Sequence, residues 1–328
     1  MVIRQSFGRV LSFLLLAALV CFTLAARAES EDVSAAQSAL LQGRVDQASS
    51  LLKAILASQS SNSLAHQLLC RVYYAQDLPD PAVHECELAV SNSPNDSDNQ
   101  LWLGRTYGLK ASHSGPFAGL SLAKKVRESF EGAVQLNPES VHASSDLGEF
   151  YVSAPGLVGG GLDKARALAE RMQQHFPSQA HRLLALIAGK RNDSATQEAE
   201  FKTAVSLSRS AAAYIDLASF YANHNQPDLA LTTIRTSITA NRVKDPSLVD
   251  AASILTKSKQ STELAERCLR EYLASPAKTD EAPAFKVHLQ LGDLLAHRGD
   301  NAGAHAEYAA ALALASNYAP ARKAIKSP

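Results

Sequence analysis

The feature that most constrains this chain is a spaced repetition. An apolar residue and a small one, with an aromatic or apolar residue three further on, recur along its length. The copies are Leu69-Cys70 with Tyr73, Leu103-Gly104 with Tyr107, Leu147-Gly148 with Tyr151, Leu217-Ala218 with Tyr221 and Leu291-Gly292 with Leu295. Weaker copies begin at Ala35, Leu184 and Ala252. A second pattern pairs a large residue with a smaller one three later, as in Leu52/Ile55, Cys86/Ala89, Phe130/Ala133, Phe201/Ala204 and Tyr308/Ala311. Apolar residues three and four apart share one helical face. The two patterns therefore predict the two helices of a hairpin, with the small residue admitting its partner closely. Pro94, Pro138 and Pro177 close several units, where a helix must stop.

Ala35, Leu69 and Leu103 lie 34 residues apart. With that period the chain resembles the tetratricopeptide repeat (TPR) family. About eight units fit between Glu31 and Ala319. The resemblance implies an all-α fold, a right-handed superhelical solenoid of antiparallel helix pairs over residues 29–318. Residues 319–328 would then form a short C-terminal capping helix. No unit of this kind buries its apolar faces alone, and stacking on neighbours does so.

Two consecutive units are too long. The offset from first-helix to second-helix marker is 17 for Leu69 to Cys86, Leu217 to Ile234 and Leu291 to Tyr308. It is 27 for Leu103 to Phe130 and 22 for Leu147 to Ala169. The extra residues, near 110–120 and 153–161, fall between the helices of each unit, so both insertions belong on one rim of a solenoid, side by side. Ser114-Gly115-Pro116 reads as a helix start that lengthens the second helix. The stretch "APGLVGGGLDK" must be irregular backbone, with Asp163 placed to cap the following helix. This glycine-rich segment, beside an elongated unit, resembles exported bacterial members of the family.

The N-terminus reads as a targeting segment. Arg4 and Arg9 precede an uncharged run from Val10 to Ala26, and Ala26-Arg27-Ala28 precedes acidic residues. A basic start, a short apolar core and an A-x-A ending make a signal peptide over residues 1–28. The expected product, cleaved near Ala28, is a periplasmic or secreted protein with no transmembrane segment in the mature chain. Without Arg4, Arg9 and Arg27 there are 29 basic residues against 32 acidic ones, which argues against nucleic acid as a partner. Export puts Cys70, Cys86 and Cys268 in an oxidising compartment. Cys70 and Cys86 fall at similar heights on antiparallel helices and form a candidate disulfide. Two separately buried thiols are the alternative.

In the TPR family the first helices line the concave surface, and ligands bind there. On this resemblance Arg71 and Arg105, in adjacent units, are candidates to pair a partner carboxylate. Tyr74 and Glu149 lie on the same face. A solvated charged face is the bland alternative. Lys124 and Lys125 make the first insertion basic, and the two insertions form a candidate partner platform. His66, His181 and His288 recur at one packing slot, which favours a structural role over metal. Gly159-Gly160-Gly161 lacks the Lys-Ser/Thr and the strand of a phosphate loop. The reading that follows is a non-catalytic scaffold or adaptor for a protein or peptide in the cell envelope, needing no cofactor. The other-class reading is a small-ligand binder or enzyme with its site in the paired insertions, 110–127 and 153–164.

Overall fold

The computed structural model describes residues 31–326, so the targeting segment lies outside the described residues. The described chain is a succession of helix pairs: α1 (31–41) with α2 (Val45–Ser58), α3 (Ser63–Ala75) with α4 (Pro79–Asn92), and α5 (Ser97–Ser112) with α6 (Pro116–Leu136). Then come α7 (Val141–Ser153) with α8 (Leu162–Met172), α9 (Pro177–Lys190) with α10 (Ser194–Ser208), and α11 (Ala211–Asn223) with α12 (Pro227–Ala240). Last are α13 (Ser247–Lys257) with α14 (Thr262–Ala274), α15 (Ala284–His297) with α16 (Asn301–Leu314), and a short α17 (Ala319–Ala324). This is the all-α solenoid of antiparallel pairs that the sequence predicts.

The small residues do what the pattern requires. A Cβ on Gly104 would come within 2.5 Å of the Phe130 ring, and one on Gly292 within 2.4 Å of Tyr308. Each glycine therefore lets the second helix of its own pair approach. Polar contacts recur with the same period. Nδ1 of His66, His181 and His288 lies 2.6 Å from Glu85, Glu200 and Glu307 respectively, each nineteen residues later on the second helix. The hydroxyls of Tyr107, Tyr151 and Tyr221 donate to Glu87, Glu131 and Glu198 on the preceding pair. Buried rings with a polar end are held in one register this way.

The two ends of the solenoid meet. Leu40, Leu52 and Leu68 of the first pairs share one buried core with Phe285, Ala311, Tyr318 and Ala321. Phe285 is fully buried and stacks edge-on against Tyr318, with ring centroids 4.8 Å apart. Asp46 accepts from the Ser316 amide at 2.7 Å, and Lys286 pairs with Asp77 at 3.0 Å. The last pair and the turn after it thus cover the N-terminal unit, while α17 buries Ala321 and keeps Ala319, Pro320, Arg322 and Lys323 in solvent. Burying a side chain the size of Phe285 contributes about 1.5–3 kcal/mol.

The extended hairpin of the third pair is largely helix, since α6 begins at Pro116 and runs 21 residues. In the fourth pair a 3-10 turn, Gly156–Val158, precedes α8. Gly161 precedes α8, and no side chain caps it. Asp163 lies within the first turn of α8, so it complements the helix dipole rather than capping the helix. Cys70 and Cys86 are joined by a disulfide that ties α3 to α4, and Cys268 is free and buried.

Candidate functional site

The inner face is lined by first helices. Arg71 stands on α3, Tyr74 beside it, Arg105 on α5, Glu149 on α7 and Arg182 on α9. What their guanidinium groups meet is the chain itself. Arg71 grips Asp280 with two bonds, Nε to Oδ2 at 2.7 Å and Nη2 to Oδ1 at 3.0 Å. Arg105 pairs through Nε with Asp146 of α7 at 2.6 Å and through Nη1 with Glu281 at 3.1 Å. The sequence reading offered both arginines to a partner's carboxylate. The structure fills them with intramolecular ones, because residues 275–283, between α14 and α15, lie across the inner face of the second and third pairs.

Trp102 organises this cluster. Its ring lies 4.8 Å from the Arg71 guanidinium and 4.7 Å from that of Arg105. Tyr74 meets the same ring edge-on at 5.5 Å. Burial raises the phenol pKa of Tyr74 above its ordinary value. The loop that brings Asp280 is itself tied down. Tyr272 donates to the Ala282 carbonyl at 2.7 Å and accepts from the Thr279 amide at 3.0 Å. Ser275 donates to the Val243 carbonyl. The Asp280 side chain keeps only 5% of its surface exposed, so its pairing is a buried one.

Further along, the same chemistry is uncovered. Arg182 pairs with Glu149 at 2.7 Å and with Asp216 of α11 at 3.0 Å. A concavity of about 560 Å³ opens there, lined by Glu149, Leu186, Gln197 and His224 among others. A second of about 500 Å³ continues it toward Trp102 and Arg105, sharing Glu149. Asp250 of α13 stands in an acidic surrounding. The enclosing protein first, then the charges of Asp216, Asp245 and Glu281, push its pKa up to about 6, while its surface remains open to water.

The paired insertions do lie against each other. Arg127 of α6 reaches the Val158 carbonyl at 3.4 Å, and a Cβ on Gly159 would come within 2.5 Å of its Nη1. Lys124 and Lys125 are both exposed, and Lys125 lies 4.8 Å from the Tyr107 ring and 4.0 Å from Glu87. The three glycine amides are spent on local carbonyls: Gly159 on Gly156, Gly160 on Pro155, Gly161 on Tyr151. They do not form an open anion cradle, which removes the feature on which the small-ligand reading leaned. Among the described residues no group of three or more His, Cys, Asp or Glu is placed to hold a metal ion.

Trp102, Asp146, Arg182, Asp216, Asp280 and Glu281 were missed by the sequence reading. Asp146 and Asp216 each stand one residue before a repeat marker, a signal that could have found them. Asp280 and Glu281 carried none, being 209 and 176 residues from the arginines they meet.

No family model matches the chain, and no curated protein does. Solved structures do. Yeast Tom70 superposes with a TM-score of 0.52 at 15% identity, covering 86% of this chain and 57% of that one. A tetratricopeptide repeat protein from Parabacteroides merdae gives 0.47 at 14% identity, covering 92% and 98%. A thermophilic TPR protein from Thermus thermophilus gives 0.47 at 16% identity, covering 64% and 99%. At these identities the likeness concerns the fold. With its 34-residue spacing of markers, its helix pairs and the close crossings at Gly104 and Gly292, the chain has the tetratricopeptide repeat fold, its two ends joined.

Proposed function

We propose that the protein is an exported, non-catalytic scaffold that holds a protein or peptide partner on the uncovered stretch of its inner face. One observation carries this reading: a non-helical segment of polypeptide, residues 275–283, already lies on that face, held by Arg71 and Arg105. The inner face therefore accepts irregular chain that presents carboxylates, here those of Asp280 and Glu281. The stretch from Glu149 to His224 offers the same alternation of arginine and carboxylate with nothing laid over it. Export is supported by the N-terminal sequence pattern. It is supported also by the Cys70–Cys86 bond, which persists in oxidising compartments.

The test is site-directed photocrosslinking in the native envelope, with the crosslinker at Gln197 or at Leu186. A discrete adduct that is lost with Glu149→Lys and Arg182→Glu supports the proposal. A crosslinker at exposed Leu229, on the second helix of the sixth pair, serves as control. Equal adducts from both places, or none, would sink it. Mass analysis of the purified protein tests export separately, the expected start being Glu29.

A further inference from the structure

The two insertions present an apolar surface that the groove does not use. Phe117, in the first turn of α6, is 91% exposed, Leu157 of the 3-10 turn 74% and Leu120 37%. Phe117, Leu120, Lys124 and Arg127 are spaced three, four and three residues apart, which places them along one face of α6. Arg127 ends that line at the Val158 carbonyl, so the glycine-rich turn adjoins the same stripe. Val158 is buried and anchors the turn, and its neighbour Leu157 is left outward. Phe117 stands about 15 Å beyond this junction along the helix.

Along the sequence the two insertions are basic. Residues 110–127 and 153–164 together hold Lys110, Lys124, Lys125, Arg127 and Lys164 against Asp163 alone, in a chain otherwise slightly acidic. No acidic residue occurs between Asp98 and Glu128, and no charged residue between Glu149 and Asp163. Some of the charge is already engaged: Lys110 pairs with Asp80, Lys125 lies near Glu87, and Arg127 contacts Glu128 and Glu131. Lys124 is exposed on the stripe itself. The N-terminus of α6 adds to this, since no side chain caps it.

We propose that this rim is a contact surface for an anionic phospholipid bilayer. Phe117 and Leu157 enter the boundary between headgroups and acyl chains, and Lys124 meets lipid phosphates. An exposed aromatic in the first turn of α6, with an exposed lysine two turns on along the same face, suits an interface that is soft on one side and negatively charged on the other. The scaffold would thus be held at a membrane with its inner face free, and this does not depend on what the inner face binds.

The experiment is co-sedimentation of the mature chain with vesicles of phosphatidylcholine alone or with added phosphatidylglycerol. Wild type is expected to bind the phosphatidylglycerol vesicles, to bind neutral ones weakly, and to detach as salt rises. Phe117→Ser with Leu157→Ser should lower binding at least about tenfold. Lys124→Gln should lower it about fivefold on anionic vesicles only. Phe117→Trp guards against a folding artefact: the emission of the introduced indole should shift to the blue and be quenched by brominated lipid. Trp102, 6% exposed, should not be quenched. Wild type left in the supernatant with both vesicle types would overturn the proposal. So would equal binding to both, full binding by the serine variant, or an indole reporter at position 117 that brominated lipid leaves unquenched. Capture of an acidic protein through Phe117 without vesicle binding would also reject it in favour of a protein interface.

Discussion

Two stretches of the inner face share one chemistry and differ in one respect. Around Trp102, Arg71 and Arg105 meet carboxylates from a loop some two hundred residues away, Arg105 holding Asp146 of the next pair as well, and the Asp280 side chain is 5% exposed. Around Leu186, Arg182 meets Glu149 and Asp216 from the neighbouring pairs, and the three side chains keep 28–50% of their surface. An arginine–carboxylate pair is thus not in itself a binding site or a structural lock. What distinguishes them is whether a carboxylate from across the molecule is added to those of the neighbouring repeats. The covered stretch helps hold the ends together, and the open one leaves room for a partner.

The largest effect should come from the joint between the ends. Phe285→Ala should lower the unfolding free energy by about 3–5 kcal/mol in urea titration. It should also raise the radius of gyration by small-angle scattering. Phe201→Ala, in a separate core of the middle pairs, should cost stability without changing the radius. An unchanged radius in both variants would break the distinction between joint and repeat. Reduction of Cys70–Cys86, which closes a loop sixteen residues apart, should cost about 3 kcal/mol, read as a lower Tm with reductant.

Asp280→Ala strands Arg71 against the Trp102 ring. With Arg71 keeping 15% of its side-chain surface, the loss should be about 2–3 kcal/mol. Arg182→Ala on the open stretch should cost less than about 1 kcal/mol, because water replaces the partner there. Similar losses at the two sites would erase the contrast. The smallest effect belongs to Asp250. Its folded pKa, near 6, lies above the ordinary carboxylate value, so the folded state holds its proton more tightly. The penalty for its charge is absent below about pH 4, grows through pH 6 and is complete above it. Asp250→Asn should therefore stabilise at pH 8 and change little at pH 4, by under about 1 kcal/mol since the group is open to water. Equal effects at both pH values would contradict this.

The helix pairs were legible because their information is local. The spacing of Leu103, Gly104 and Tyr107 predicts a face, and Phe130 supplies what that face meets. The juxtaposition of the insertions was legible for the same reason, since two consecutive units must put their turns on one rim. The recurring histidines were readable as structural, though their glutamate partners emerge only when the nineteen-residue offset is seen in space. What was not legible is the closure. Whether the last pair meets the first depends on small rotations accumulated over every repeat, and no residue near Tyr318 records their sum. The carboxylates that fill Arg71 and Arg105 follow from that same closure.

The joining of the ends also orders events in time. Leu40 and Leu52 are made early, while Phe285, Tyr318 and Ala321, which cover them, are among the last residues synthesised. Contacts of such sequence separation form late because the intervening chain must be ordered first. Until then the first pair stands with its apolar side uncovered, which makes the half-finished chain the species most exposed to aggregation.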